Sequence, residues 1–416
     1  MPRFKPSGSG VRTHGMDAHK KFNLFALSAS HGLNSFYMYM LIPVLPLIVK
    51  EYGLTYVQAG LIVSTYSLAN SVFQLPFSFV ADYTGRWRVV LALSHLVQAL
   101  PVLFYAYAAH YPMLLAWIFI GGMGCAAYHP PAVSLITREL PQRRGFTLAL
   151  FNGGGDVGHI VTPALVGWLT AYLNDWRAAA QVLVIPGAAW ALLIWFRFQD
   201  QGSQGQPMRQ TARSTFGALL RNRRLVLLVV LSSFRITGFR GLMTFLPLLL
   251  TQSFGFGVEQ AGWILSGYFA LGTVATVIVG QWSDRLHGNR TIFIVVMTFL
   301  TAAALANLSW VHSTPALLAA VASIGILLTP VPSLVLTVGT ELVEERQRSS
   351  SVGLIYGVNE GASTLAPIIG GFAAQAFGLR LSFLFYALMF AAGGLVAILL
   401  HRESLRRQAA MAGGAA

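Results

Sequence analysis

The sequence predicts an all-α membrane protein with twelve transmembrane helices in two six-helix, pseudo-symmetric halves. Three observations carry this expectation. Apolar types make up 55% of the 416 residues and charged types only 10%, against roughly a quarter charged in an average soluble protein. Apolar runs of about 20 residues, the length that crosses a bilayer, recur twelve times. Residues of the first half also return in the second at a fixed offset.

The runs cover residues 22–49, 57–80, 89–109, 113–137, 146–171, 178–196, 225–250, 258–280, 291–310, 315–338, 352–376 and 381–400. One long polar break, 198–224, divides them six and six. The expected parts are an N-terminal arm (1–21), a first half (22–196), a central loop (197–224), a second half (225–400) and a tail (401–416). Gln58, Ala59 and Gly60 open the second span, and Gln260, Ala261 and Gly262 open the eighth, 202 residues later. Asp82 and Asp284 end these spans at the same offset, and Pro130 and Glu139 match Pro332 and Glu341. Asp156, Pro163 and Gly167 match Glu360, Pro367 and Gly371 at an offset of 204. Two halves of like orientation form a parallel repeat, which puts a substrate site near the midplane between them.

The charges fix an expected orientation. Of 28 Lys and Arg, 23 fall on one side when the N-terminus is cytoplasmic. Only Lys50, Arg177 and Arg380 fall on the other, and Arg235 and Arg240 lie inside the seventh span. This is the positive-inside pattern, so both termini are expected in the cytoplasm of a bacterial inner membrane. The net charge of +14 is then a topology signal. Nucleic acid is not an expected partner, because no compact basic patch with interleaved aromatics is seen. Cys125 is the single cysteine, which excludes an intrachain disulfide and a cysteine zinc site. Residues 1–21 carry no removable signal-peptide pattern.

Each span then offers its chemistry in order. The first has His31, Asn34, Ser35 and Met38 on one stripe, followed by Pro43 and Pro46. The turn after the second contains Asp82, Gly85 and Arg86, and the turn after the eighth contains Asp284, Gly288 and Arg290. A glycine suits the tight turn, and an aspartate can accept hydrogen bonds from a helix N-terminus of the other half. Such contacts form in one state and break in the other, so Asp82, Gly85, Arg86, Asp284 and Arg290 are the expected gate. The bland alternative is a static loop cap. The fourth span packs small residues before Tyr128, His129 and Pro130. His129 is read either as a satisfied structural histidine or as a gating or proton-linked group.

In the fifth span Asn152, Asp156, His159 and Pro163 share one face. The equivalent face of the eleventh holds Tyr356, Glu360, Ser363 and Pro367. Asp156 and Glu360 are the two acids well inside spans, where an ionisable group needs a partner or water. They are proton carriers, or they pair structurally with Arg235, Arg240 or a helix end. The two arginines stand about 140° apart round their helix. One is expected to line the cavity and favour an anionic substrate group, while the other pairs or snorkels.

The turns 78–88 and 280–290 resemble the Gly-x-x-x-Asp-x-x-Gly-Arg-x-Arg/Lys signature of the major facilitator superfamily, with Ser78 in place of the first glycine. Within that family the chain resembles the fosmidomycin-resistance-like group of bacterial drug exporters. The residues are Ser30-His31-Gly32-Leu33-Asn34, Leu54-Thr55 with Gln58-x-Gly60, Tyr128-His129-Pro130, and Phe151-x-x-Gly154-Gly155-x-x-Gly158 with Pro163. The resemblance implies the twelve-helix fold and proton-driven antiport of a small drug-like molecule.

The expected protein is therefore a secondary active transporter working by alternating access, with efflux by proton antiport. A proton gradient supplies the energy, without cofactor or metal. Its partners are the lipid bilayer, protons and a small molecule, and it is expected as a monomer. Asp156 or Glu360 carries the proton, assisted by His31 or His129. Asn34, Gln74, Tyr128, Asn152, Arg235, Arg240, Tyr356 and Asn359 are the substrate-contact candidates. The rival reading is an importer or uniporter of a small organic anion. A non-transporting sensor would want a soluble domain, and a membrane-embedded enzyme a metal cluster or an activated nucleophile. Neither pattern is present in the sequence.

Overall fold

The computed structural model describes residues 18–139, 144–198, 200, 217, 219–285, 290–344 and 347–413. All regular structure among them is helical. The helices of the first half are α1 (Ala18–Tyr39), α2 (Leu45–Tyr52), α3 (Tyr56–Thr84), α4 (Trp87–Tyr105), α5 (Tyr111–Glu139), α6 (Arg144–Leu173) and α7 (Trp176–Arg197). Those of the second are α8 (Arg223–Leu248), α9 (Val258–Arg285), α10 (Arg290–Leu308), α11 (Thr314–Leu328), α12 (Val331–Glu341), α13 (Arg348–Phe377) and α14 (Ser382–Gly413).

Eight helical stretches are long and apolar enough to cross a membrane by length and composition. Helices α1, α3, α6 and α13 are as long, at 22 to 30 residues, but polar groups dilute them. These four carry His31, Gln74, Asp156 and Glu360, all expected site residues.

Proline breaks two of the expected spans. The first stops at Tyr39 and restarts at Leu45, because Pro43 has no N–H to donate and Pro46 is suited to the first turn of the new helix. The tenth divides at Thr329 and Pro330, just before Pro332. After Pro247, helix α8 ends in a π-helical turn, Leu249–Ser253. Helix α14 runs on to Gly413.

The repeated Gln-Ala-Gly opens helices. Thr55 and Gln58 form a capping box at the start of α3: the Gln58 N–H donates to Thr55 Oγ1 and the Thr55 N–H to Gln58 Oε1. At the start of α9 the Gly257 N–H donates to Gln260 Oε1 at 3.0 Å, half of the same motif, since Gly257 has no hydroxyl. Gly85 closes α3 with φ 63° and its N–H on the Ala81 carbonyl, a left-handed position that favours glycine.

Each half is locked at one rim by an arginine. Arg177 donates to Glu51 Oε1 (2.7 and 2.9 Å), to Tyr52 Oη and to the carbonyls of Tyr105, Ala106 and Ala108. Arg380 donates to the Val311 carbonyl (2.8 Å), to His312 Nδ1 (3.0 Å) and to the Ser253 carbonyl. Both satisfy carbonyls left over near helix ends.

The halves meet where α3 crosses α13 and α6 crosses α9. One continuous apolar core runs through both halves at the Tyr56 end, from Ile48 and Ile62 to Phe245 and Leu265. At the Gly85 end the core divides in two. Leu24, Trp87 and Ile136 pack within the first half, and Leu228, Ile294 and Val335 within the second. The molecule is closed at one end and cleft at the other.

Candidate substrate and coupling site

The closed end rests on two crosswise contacts between the repeats. Gly60 of α3 abuts the Pro367 carbonyl of α13, and Gly262 of α9 abuts the Pro163 carbonyl of α6; a Cβ on either glycine would overlap that oxygen. A Cβ on Gly371 would lie 2.6 Å from the Tyr56 carbonyl oxygen, and one on Gly167 2.8 Å from that of Val258. The Tyr56 hydroxyl donates to Gln252 at 3.0 Å, and the Ala164 N–H to Ser266 Oγ at 2.9 Å. The opposite end is roomy. A Cβ on Gly153, Gly353, Gly357 or Gly361 would meet nothing within 4 Å, and Tyr356 is 49% exposed.

The wall from the first half is a polar network around α1. Glycines let α1 and α6 touch: a Cβ on Gly154 would overlap the Ser28 carbonyl, and one on Gly158 the Gly32 carbonyl. His31 lies in the space left by Gly155, stacked on Phe151 at 4.2 Å between ring centres, with Nδ1 2.9 Å from the Phe151 carbonyl. A carbonyl only accepts, so Nδ1 is the donor in this contact. Asn34 accepts from Gln98 Nε2 at 2.9 Å and donates to His129 Nε2 at 3.1 Å. Ser30 Oγ lies 2.6 Å from His95 Nε2. His31 and His129 meet edge to face at 5.2 Å. Asp156, one residue past Gly155, makes no hydrogen bond or ion pair with a described residue.

Filling the Gly155 space tests this wall. In Gly155→Ala the new methyl would stand 2.8 Å from His31 Cε1. The ring must leave the Phe151 carbonyl, at about 0.5–1.5 kcal/mol for the lost hydrogen bond. Transport in proteoliposomes should fall while the protein stays monodisperse. Wild-type transport would deny His31 its role.

The opposite wall belongs to α8 and α13, where two arginines have different surroundings. Arg240, 5% exposed, lies 3.6 Å from Glu360 Oε2 and over the Tyr39 ring at 6.0 Å. Arg235, 6% exposed, makes no hydrogen bond or ion pair with a described residue, and its Nε is buried without a partner. Within electrostatic range of it are Tyr356, Tyr268, Tyr39 and Arg240, no carboxylate among them. Tyr39 also meets His159 (4.7 Å) and Phe269 (5.7 Å) edge to face, so this ring joins the two walls.

Other expected site residues sit as follows. Tyr128 is fully buried and its hydroxyl donates to the Leu27 carbonyl; it backs the histidines and faces no cavity. Asn359 is buried, with its amide on Ser232 Oγ at 2.8 Å. Asn152 is exposed on α6, and Gln74 is half-buried on α3 with no described partner. Arg290 joins Asp284 (2.6 Å) and Glu341, so this part of the expected gate is held within one half. Arg86 is exposed, and the Asp82 side chain and Gly288 lie outside the described set. Among the described residues no cluster of His, Cys, Asp and Glu is grouped to hold a metal.

Sequence reasoning passed over Tyr39, His95 and Gln98. A signal existed for the last two: Ser94, His95 and Gln98 are isolated polar residues one turn apart in an otherwise apolar helix.

A family description, the Major Facilitator Superfamily, matches residues 27–248 and 228–413. The chain is 24% identical over 369 residues to the fosmidomycin resistance protein of Escherichia coli (strain K12), covering 86% of this chain and 87% of that one. It is 26% identical over 258 residues to the probable sulfoacetate transporter SauU of Cupriavidus necator, covering 58% and 60%. It is 24% identical over 269 residues to the probable nitrate transporter NarT of Staphylococcus aureus, covering 64% and 67%. Among solved structures, a bacterial homologue of the human lysosomal transporter Spinster superposes with a TM-score of 0.82 at 18% identity, over 94% of this chain and 99% of that one. The nucleoside transporter NupG superposes at 0.77 and 14% identity, over 91% and 99%. These two share the fold. The family match runs through both repeats and all the helices that form the cleft, and the chain belongs to the Major Facilitator Superfamily as a multi-pass, non-enzymatic membrane transporter.

Proposed function

We propose that the protein is a secondary transporter of a small organic anion whose charged group is held by Arg235, with Glu360 and Arg240 as the proton-responsive pair. The carrying observation is the contrast between the arginines. A buried cation without a counter-ion is costly, and Arg235 has none among the described residues, with Tyr39, Tyr268 and the exposed Tyr356 around it. Two relatives are named for anions, sulfoacetate and nitrate, which supports the class. In the orientation expected from the basic residues, the cleft opens to the cytoplasm.

The sign of coupling follows from electrostatics. An anion reaching Arg240 competes with Glu360, 3.6 Å away, for the guanidinium. A proton on Glu360 removes that competition. Linkage is reciprocal, so the proton then strengthens anion binding. Anion and proton bind together, which is the arrangement of a symporter.

The antiport efflux implied by the family resemblance is the second reading. It needs a site where proton and substrate exclude each other. Asp156, without a described partner, is the proton carrier in that reading, and the relationship to the fosmidomycin resistance protein favours it.

Proteoliposomes with the membrane voltage clamped at zero separate the two, with sulfoacetate, nitrate and fosmidomycin as probes. Symport predicts faster uptake when the outside is acid; antiport predicts faster uptake when the inside is acid. Flux indifferent to either gradient would rule out proton coupling.

A further inference from the structure

Some of the described basic residues on the Gly85 side are tied down: Arg88 pairs with Asp200, and Arg290 with Asp284 and Glu341. One group differs. Arg221, Asn222, Arg223, Arg224, Glu403 and Arg406 line a single open groove of about 560 Å³ between the start of α8 and the end of α14. Among the described residues lining it are four arginines and one carboxylate, which Arg223 engages at 2.9 Å.

The groove is held in shape. Asn222 caps α8 through its Oδ1, which accepts from the Leu225 N–H, while its Nδ2 donates to the Leu342 carbonyl at 2.9 Å. The chain carrying Arg221 and Arg223 is thereby pinned to the end of α12. On α14, Glu403 and Arg406 are three residues apart and share a face.

Its depth is that of lipid headgroups. Counting from Ser382 at 1.5 Å per residue, Glu403 and Arg406 stand about 32 and 36 Å along the helix, just beyond a hydrocarbon core of about 30 Å. Adjacent in sequence to groove residues, Leu220 and Leu405 are exposed at 59% and 43%, and Leu399, one turn before Glu403, at 48%. Exposed leucines beside a ring of arginines offer one surface for acyl chains and one for a phosphate, and Arg is well shaped for phosphate.

We infer that this groove is a binding site for the headgroup of an anionic phospholipid in the leaflet on the Gly85 side. The apolar flank and the depth favour a lipid over a soluble phosphate. The site is separate from the transport cleft and does not depend on what that cleft carries. Basic pockets between membrane helices suit such headgroups.

Native mass spectrometry of the purified full chain tests this with three probes: cardiolipin, phosphatidylglycerol and phosphatidylcholine. Wild type should retain the two anionic lipids in preference to phosphatidylcholine. The double variant Arg221→Gln/Arg406→Gln should bind them about 30-fold more weakly, from two arginine contacts near the surface. Arg221→Lys/Arg406→Lys should keep most of the preference, which separates lost charge from lost fold. Three results would each overturn the inference: equal retention of phosphatidylcholine and phosphatidylglycerol by wild type, unchanged anionic-lipid binding in the Gln variant, or displacement of the lipid by millimolar inorganic phosphate, which would mark a soluble-anion site.

Discussion

Tryptophan at both Gly60 and Gly262 leaves the protein open at its Tyr56 end. Neither glycine has room for a Cβ, because each lies on a proline carbonyl of the opposite half, and a backbone on the far side cannot swing away like a flexible side chain. Overpacking costs about 1–3 kcal/mol per site, occasionally more. Taking a two-state equilibrium from 1:99 to 99:1 requires about 5.5 kcal/mol. The double variant should therefore shift most of the population, and either single change should leave a mixture. Spin labels on cysteines at His110 and Ser313, one on each half at that rim, with Cys125→Ser as background, report the change as a longer inter-label distance. An unaltered distance distribution in the double variant would mean that these contacts do not hold the end shut. Each half keeps its own core at the other end, so the fold should survive the separation.

Arg235→Gln and Arg240→Gln should have opposite consequences for stability. Removing Arg235 abolishes the proposed anion contact. Losing one partner of a buried charge pair costs about 2–5 kcal/mol, so substrate affinity should fall at least about 30-fold, while thermal stability holds or rises because an unpaired buried cation is gone. Removing Arg240 strands Glu360, and breaking a buried pair from one side costs about 3–5 kcal/mol. Its melting temperature should drop, and the double change Arg240→Gln/Glu360→Gln should restore much of it without restoring proton dependence. Scanning fluorimetry and substrate binding on the same samples separate the cases. If Arg235→Gln melts early and still binds the probe anions, Arg235 is a structural residue and the anion site lies elsewhere.

Much of the architecture was legible in the sequence, because hydrocarbon demands long apolar runs and the repeat declared itself at offsets of 202 and 204. The meaning of the repeat was not. Gly60 and Gly262 match each other in sequence, but in space each touches the proline of the other matched pair. That pairing comes from how the halves face one another, and no periodicity along a single chain records it. The breaks at Tyr39 and at 329–330 were signalled only as prolines inside spans.

The site was legible as a set of improbable residues. Asp156, Glu360, Arg235 and Arg240 stand out because charge is expensive in a membrane. Their angular separation predicted different roles for the arginines without saying which one is paired, since that depends on where α13 sits against α8. Tyr128 and Asn359 looked suited to a cavity by type and position, but their side chains turn into the helix packing. Tyr39 was invisible for the converse reason: an aromatic in an apolar run carries no mark of the arginine beneath it.

The rim arginines make the two halves unequal toward salt. Arg177 is fastened by a carboxylate as well as by carbonyls, whereas Arg380 holds two carbonyls and a ring nitrogen of His312, with no carboxylate among its described partners. Dissolved ions screen an ion pair at the surface, so a concentrated medium on that side weakens the Glu51 clasp and leaves its twin untouched. A molecule built by duplication thus has one corner that feels the ionic strength of its surroundings and one that does not.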